Sequence, residues 1–219
     1  MNEWDTYWAK KSNAHHMIYD QIAVRYRKYI IKPYLKKYIY KYFKPGSILL
    51  HAGCGSGQVE DEITNYFIII DMDMSINALE MYKNHHDDFN LVLGDILNTG
   101  FENNSLDGIY NLGVMEHFTK TDFKNALIEF NRILKPDGTV ILFIPPEYGS
   151  TVTFFKITDY ILNSWLKRNI YFQPPEINRI QSEQWMQDMI SGTGFQMREF
   201  NFGITDLYTH VAVILKKIN

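Results

Sequence analysis

The stretch Leu49-Leu-His-Ala-Gly-Cys-Gly-Ser-Gly-Gln58 leads two aliphatic residues into a turn with glycine at positions 53, 55 and 57. Glycine adopts backbone dihedrals that other residues avoid, and it leaves no side chain between the backbone and a ligand. When such a turn joins a strand to a helix, free backbone N–H groups lie at the carboxyl edge of the sheet, where ligands bind in open α/β folds. The stretch therefore predicts a ligand site, although a tight structural turn would show the same glycines.

The residues around this turn alternate between strand and helix patterns. Apolar runs predict seven strands, the last two forming an antiparallel pair around Gly203, at 47–51, 67–71, 90–93, 108–112, 139–144, 196–202 and 208–215. Helical spacing predicts helices near 59–66, at 75–82 with Ser75 as the N-cap, and over 123–134. Strands that alternate with helices form a parallel sheet with right-handed crossovers, so we expect a doubly wound α/β domain.

Two segments flank this pattern. Helical spacing over 17–43, interrupted by Pro33, predicts two helices with a break or kink between them. The aromatic-rich insertion 145–179 predicts one helix at about 152–166. The insertion lies over the ligand cleft as part of the acceptor pocket, or its helix packs on the core or at a dimer contact. The amino-terminal helices also carry eight basic residues, which form a solvated face or contact an anionic acceptor or membrane surface: Arg25, Arg27, Lys28, Lys32, Lys36, Lys37, Lys41 and Lys44.

The composition is typical of one globular domain. With 219 residues, 46% hydrophobic and 21% charged, the chain has room for one large core but not for a second full domain. The formal net charge of -3 argues against nucleic-acid binding as the main function. Cys54 is the one cysteine, and no apolar run reaches the ~20 residues that span a bilayer. The polar, acidic start at 1–5 is unlike a signal peptide, so we expect a cytoplasmic location.

Three nucleotide-binding patterns compete for the glycine turn. A phosphate loop requires Gly-Lys-Ser/Thr after four intervening residues, and the sequence contains no such triplet. A dinucleotide site requires a third glycine at the position of Gln58, and the antiparallel end of the chain disfavours that fold as well. The spacing found here, Gly-x-Gly-x-Gly, is the third pattern.

The glycine turn and four further stretches together resemble the class I S-adenosylmethionine-dependent methyltransferases. The resemblance covers 46–144 and the Gly194-Phe195 entry to the last hairpin, and the four stretches are 71–75, 94–96, 105–117 and 132–138. It implies a seven-stranded, Rossmann-like mixed sheet. It also implies S-adenosylmethionine (SAM) as the cofactor and S-adenosylhomocysteine (SAH) as the product.

The resemblance further implies a set of cofactor-binding residues. An acid after the second strand holds the ribose hydroxyls, and Asp73 is favoured over Asp71 for this role. Asp95 is expected to reach the adenine amino group, with Ile96 over the ring. The whole predicted set is His51, Gly53, Gly55, Gly57, Asp73, Met74, Asp95, Ile96 and Asn111. No residues stand at metal-ligand spacing, so no metal is expected.

Two histidines bear on the chemistry. The family usually places Asp or Glu two positions before the first glycine, where its charge helps to hold the cofactor's ammonium group, and here that residue is His51. A neutral imidazole accepts one hydrogen bond but has no fixed negative charge, so other groups hold the methionine end, binding is weaker, or the site no longer turns over. His117, just past the fourth strand, is a candidate general base, or else part of a cap that orients the next segment.

Together these patterns predict one domain over 1–219. It consists of a helical cap at 1–45, a cofactor-binding core at 46–144, a lid at 145–180, and a helix with a β-hairpin at 181–219. The expected function is methyl transfer from SAM to oxygen, nitrogen or carbon of a small-molecule acceptor, and a lipid-linked acceptor at a membrane surface is less favoured. Two different functions stay open at this point: a non-catalytic module that binds the cofactor or a partner chain, and an NAD(P)-dependent oxidoreductase.

Overall fold

The computed structural model describes residues 3–13, 24–57, 59, 63–85, 90–150, 152 and 176–218. Its strands form one sheet and are β1 (Ile48–Ala52), β2 (Ile68–Asp73), β3 (Leu91–Leu93), β4 (Leu106–Leu112), β5 (Leu134–Ile144), β6 (Phe195–Asn201) and β7 (Val211–Lys217). Its α-helices are α1 (Glu3–Asn13), α2 (Lys32–Tyr42), α3 (Ile76–Lys83), α4 (Lys120–Ile133) and α5 (Glu183–Ile190).

The seven strands stand in the order β3-β2-β1-β4-β5-β7-β6. Strands β1 to β5 are parallel, and β7 runs antiparallel to both of its neighbours, β5 and β6. The strand order reverses between β1 and β4, so the carboxyl edge opens there into the crevice in which α/β sheets bind ligands. The predicted doubly wound α/β fold with a seven-stranded mixed sheet is confirmed.

Apolar layers cover both faces of the sheet because adjacent residues of a strand point to opposite faces. Leu49 on β1 belongs to the buried cluster that contains α2, whereas its neighbour Leu50 belongs to the cluster that contains α4 and α5. The predicted apolar face of α4 is fully buried and consists of Phe123, Ala126, Leu127, Phe130 and Ile133. These layers hold the sheet in place and thereby position the loops at its carboxyl edge.

Two local predictions about helices have different outcomes. Ser75 begins α3 as predicted, since its Oγ accepts from the Ala78 N–H at 3.3 Å. A break or kink was predicted at Pro33; the chain does not break there, because a π-helix at Arg27–Ile31 leads directly into α2. Pro33 lies in the first turn of α2, where N–H groups have no intrahelical partner and proline is tolerated.

The structure corrects two element boundaries. Residues 63–66 form turns where the end of a helix was predicted, and the Tyr66 N–H bonds back three residues to the Ile63 carbonyl. The last strand begins at Val211 and not at 208, because Leu207 and Tyr208 adopt left-handed backbone dihedrals with φ of 62° and 59°. Of the helix predicted at 152–166, only Val152 is among the described residues.

Within the part of the chain that the structure describes, no helix has the length and apolar character to cross a bilayer. The same residues contain no group of three or more His, Cys, Asp and Glu side chains that could hold a metal ion.

Candidate active site

The carboxyl edge of the sheet opens into a cavity of about 710 Å³. This volume lies within the range of roughly 300–1,000 Å³ that is typical of small-molecule and cofactor sites. The loops after β1, β2 and β3 line one half of the cavity, with Gly53, Asp73 and Asp95. The loop after β4 and the loop before β7 line the other half, with His117 and His210.

The glycine turn requires glycine because of its own packing. Gly53, Gly55 and Gly57 all have positive φ, at 79°, 56° and 60°. A Cβ on Gly53 would lie 2.5 Å from Val114 Cγ2, and one on Gly57 would lie 2.3 Å from the Tyr82 ring. All three glycines also line the cavity. The turn is therefore glycine-rich for structural reasons, and the side chains around it must identify the ligand.

Asp73, at the end of β2, lies in the cavity wall and is hydrogen-bonded to the glycine turn. Its Oδ2 accepts from the Gly55 N–H at 2.8 Å, and its Oδ1 accepts from the Ser75 N–H at 2.9 Å. Burial raises the pKa of Asp73, and these two N–H donors oppose the shift. A carboxylate has about four lone-pair sites, so Asp73 can accept from the hydroxyls of a ligand while it holds the turn.

Asp71, the alternative candidate for the acid that binds the ribose, is not among the described residues that line the cavity. It is buried, accepts from the Tyr82 hydroxyl at 2.8 Å, and stands opposite His51 in the β1–β2 register. His51 lines the cavity, and its Nδ1 lies 3.4 Å from Asp71 Oδ1. The His51 ring stacks on Tyr110, with centroids 4.4 Å apart. The carboxyl group that position 51 lacks is thus present on the neighbouring strand, next to the imidazole.

The remaining predicted cofactor residues fall into two groups. Met74, Asp95 and Ile96 line the cavity, with Ile96 buried and Asp95 exposed. Asn111 is not among the described residues that line it. Instead, Asn111 Nδ2 donates to the Ala52 carbonyl at 2.6 Å, which ties β4 to the end of β1. Asn111 therefore supports the glycine turn from behind, which differs from the direct cofactor contact predicted for it.

The short 3₁₀ turn after β4 brings two titratable side chains to the cavity. The His117 ring meets the Trp4 ring edge-on, with centroids 5.0 Å apart. Glu116 is buried, and its Oε2 has no hydrogen-bond partner among the described residues. Burial, together with the charge of Glu176, raises the pKa of Glu116 to about 8. At pH 7 this side chain is a neutral carboxylic acid, so it can donate a hydrogen bond; the sequence predicted only a cap at this position.

Helix α1 is a part of the site that the sequence did not predict. Its Trp4, Tyr7 and Trp8 line the cavity, and the Trp8 ring stands so close to Gly55 that a Cβ there would lie 3.0 Å from it. Residues 4, 7 and 8 share one helix face because residues three and four apart are neighbours on a helix surface. This spacing was visible in the sequence, but it does not say what the aromatic face covers.

Polar contacts fasten α1 to the start of α3. Asp5 Oδ1 accepts from the Ser75 hydroxyl at 2.8 Å and from the Ile76 N–H at 3.1 Å. In return, the Asn77 side-chain amide donates to the Asp5 carbonyl at 3.1 Å. A carboxylate at a helix N-terminus is favourable because the first N–H groups there need acceptors. The contacts hold the aromatic face of α1 over the glycine turn.

Comparison with known proteins relates this site to a family. The Methyltransferase domain family matches residues 50–142. A demethylmenaquinone methyltransferase of Staphylococcus haemolyticus is 31% identical over 121 residues, 48% of this chain and 47% of that protein. An uncharacterized protein of Methanocaldococcus jannaschii is 30% identical over 135 residues, 59% of this chain and 51% of that protein. The probable tRNA methyltransferase 9B of Homo sapiens is 28% identical over 102 residues, 46% of this chain and 22% of that protein. The chain thus spans about half, or less, of the length of these relatives.

Solved methyltransferase structures share the fold. Magnesium protoporphyrin IX methyltransferase from Synechocystis, crystallised with bound SAH, has a TM-score of 0.66 at 13% identity, covering 93% of this chain and 88% of that one. This likeness concerns the fold, whereas the domain match spans the glycine turn, Asp73, Asp95 and His117. Residues 50–142 therefore match a methyltransferase domain, and they lie on a fold that the chain shares with solved SAM-dependent methyltransferases.

Proposed function

We propose that this protein transfers the methyl group of SAM to a small-molecule acceptor. The observation that carries the proposal is one continuous cavity, in which the glycine turn and Asp73 face the same space as Glu116 and His117. A cofactor held by the β1–β3 loops would have its reactive end beside the β4 loop. An acceptor in the other half of the cavity would then meet it there.

The residues of the cofactor half fit SAM by their chemistry. Asp73 offers acceptors for the ribose hydroxyls, Ile96 offers an apolar surface for the adenine ring, and Asp95 offers an acceptor for the adenine amino group. His51 offers a ring nitrogen for the ammonium group, and the carboxyl group of Asp71 lies 3.4 Å from the other ring nitrogen, where it can orient the imidazole. The presence of His51 in place of the family's usual acid is therefore compatible with cofactor binding.

When bound, SAM supplies a methyl group on a positively charged sulfur, which is already an activated leaving group. The protein's own residues then have two tasks, to align the acceptor and to exclude water. Trp4, Tyr7 and Trp8 supply an apolar wall for the second task, and the Asp5 contacts with α3 keep that wall in place. Neutral Glu116 can donate a hydrogen bond to an acceptor oxygen or nitrogen.

The His117 base hypothesis predicts a rate effect. If the acceptor must lose a proton, we expect His117→Asn to lower kcat by roughly 100- to 10,000-fold and to remove a pH-dependent limb of the rate profile. His85→Asn is the matched control, because His85 is exposed and is not among the described residues that line the cavity. Methyl transfer that stays unchanged across pH in His117→Asn would contradict a base role.

A ligand titration tests the proposed function itself. Thermal unfolding is measured with SAM, SAH and NADH in parallel, since a ligand at one hundred times its Kd stabilises a protein by ~2.7 kcal/mol. We expect a raised midpoint with SAM and SAH but not with NADH. A methyl-labelled SAM assay then offers small-molecule extracts and tRNA as acceptors, and we expect the label in small molecules. No shift at millimolar SAM or SAH contradicts cofactor binding, and label in tRNA alone contradicts the acceptor class.

A further inference from the structure

The loop that enters β7 forms a polar cluster at the end of the cavity opposite the cofactor half. Strand β7 is antiparallel to β5, and Val211 pairs with Ile144, so the loop 204–210 lies at the same carboxyl edge as the glycine turn. Three strand steps separate β7 from β1, which is about 14 Å at the usual spacing of neighbouring strands. Thr209 and His210 of this loop line the cavity.

Hydrogen bonds orient the side chains of this loop. Thr209 Oγ1 lies 2.9 Å from both Asp206 Oδ2 and His210 Nδ1, and its single proton can be donated to one of them at a time. The His210 N–H donates to the same Asp206 oxygen at 2.5 Å. The Tyr26 hydroxyl, from the turn before the π-helix, contacts Thr209 Oγ1 and lies 3.5 Å from His210 Nδ1. The cluster therefore joins two parts of the chain that are 183 residues apart.

The protonation of the cluster leaves it with hydrogen-bond donors. Burial and the charge of Arg27 lower the pKa of His210 to about 4, so its ring is neutral at pH 7. Burial raises the pKa of Tyr26, so its hydroxyl keeps its proton. When the Thr209 hydroxyl donates to Nδ1 of His210, the proton of the neutral ring is on Nε2 and that N–H can donate to a ligand.

Arg27 adds a positive charge beside these donors. Of the described residues that line the cavity, Arg27 is the one arginine or lysine. It directly follows Tyr26 in the chain, and both residues line the cavity, so Arg27 belongs to the same end of it. A guanidinium presents a planar fork of N–H donors that matches the geometry of a carboxylate or phosphate, which an ammonium group does not.

We propose that Arg27 and His210 bind an oxyanion group, a carboxylate or a phosphate, on the methyl acceptor, with the Tyr26 hydroxyl holding Thr209 beside His210. The inference rests on the proposed methyl transfer and deepens it, because it gives the acceptor a chemical class: a small aromatic or apolar molecule with an acidic group. The acidic group lies at the β7 end of the cavity. The rest of the molecule extends along the apolar wall toward Trp4 and His117, where the methyl group is transferred.

Paired probes test this site directly. Each pair consists of an anionic molecule and a neutral analogue: 4-hydroxybenzoate with 4-hydroxybenzamide, and phenyl phosphate with phenol. Their Kd values are measured by ligand-observed NMR titration of the full chain, with and without SAH. We expect the anionic member of at least one pair to bind wild-type protein about tenfold more tightly than its neutral analogue. The pair that shows this preference indicates whether the site prefers a carboxylate or a phosphate. We expect Arg27→Gln to remove the preference, since a charged hydrogen bond is worth about a factor of ten or more in affinity.

Two further variants control the experiment. Arg25→Gln removes the same charge from an exposed arginine two residues away, and we expect it to keep the preference. Arg27→Lys keeps the charge without the fork, and we expect an intermediate loss if Arg27→Gln proves poorly folded. Equal affinities within both pairs, no binding of any probe, or an equal loss in Arg25→Gln would overturn the oxyanion site. Failure of SAH to bind contradicts the proposed function instead, because the pair preference is read without SAH as well.

Discussion

Asp73→Asn is expected to weaken SAH binding by roughly 10- to 100-fold, because hydrogen bonds to a charged group are worth about 1.5–3 kcal/mol. In the wild-type protein the two carboxylate oxygens of Asp73 accept from the N–H groups of Gly55 and Ser75. An asparagine replaces one of these acceptors with an NH₂ donor. That NH₂ group then faces a backbone N–H group, which is also a donor, and an acceptor for the ribose hydroxyls is lost. Isothermal titration calorimetry with SAH measures the loss.

Asp188→Asn is the matched control for this experiment. It makes the same chemical change at an exposed carboxylate on α5, which accepts from Gln184 and is not among the described residues that line the cavity. Urea unfolding of both variants separates weaker binding from a less stable fold. If Asp73→Asn binds SAH within twofold of the wild-type affinity, the ribose is held by another residue and the assignment of Asp73 is wrong.

Glu116→Gln is expected to remove a large part of the pH dependence of stability. Burial raises the pKa of Glu116 from 4.5 to about 8, so the folded protein keeps a proton that the unfolded chain releases above pH 4.5. The corresponding stabilisation is fully present below pH 4.5 and is lost as the pH rises to about 8. At up to ~1.4 kcal/mol per pH unit, the loss is on the order of 4 kcal/mol. Glutamine is neutral at every pH and should show no such loss.

The free energy of unfolding in urea, measured at pH 5 and pH 8, checks this expectation. Subtracting the change in Glu116→Gln from the change in wild type cancels the other buried acids, including Asp73 and Asp206, whose pKa values burial also raises. Glu183→Gln, at an exposed glutamate that begins α5, should keep the wild-type slope. Equal slopes in wild type and Glu116→Gln would show that Glu116 is ionised in the folded protein at pH 7.

The parts of the fold that could be predicted have local signals. The three alternate glycines predicted a turn with unusual backbone dihedrals. Ser75 was recognised as an N-cap because it directly precedes a helical run, and the buried face of α4 because its apolar residues recur at helical spacing. The loop before β7 has no such signal. Leu207 and Tyr208 take positive φ without being glycine or asparagine, so the apolar pattern at 208–215 predicted a strand where the chain is still turning.

The contacts that a side chain makes were harder to predict than its place on a strand or helix. Asn111 occupies a place from which a cofactor contact was expected, yet its amide donates to the carbonyl of Ala52. Arg27 is one of eight basic residues predicted mainly as a solvated face, and it is the one whose backbone position brings its side chain into the cavity wall. Periodicity assigns a residue to a helix face, but only the surrounding structure determines what that face meets.

By itself, the sequence determined the order of the strands, the glycine turn and the acid at Asp73, because each depends on residues close together in the chain. Only the tertiary structure decided that Asp71 stands behind His51, that α1 covers the glycine turn, and that Tyr26 meets Thr209. The physical reason is the sheet order, which brings strands and loops together across large separations in sequence. A short sequence pattern specifies which face a side chain is on, and the packing of the whole chain specifies its partner.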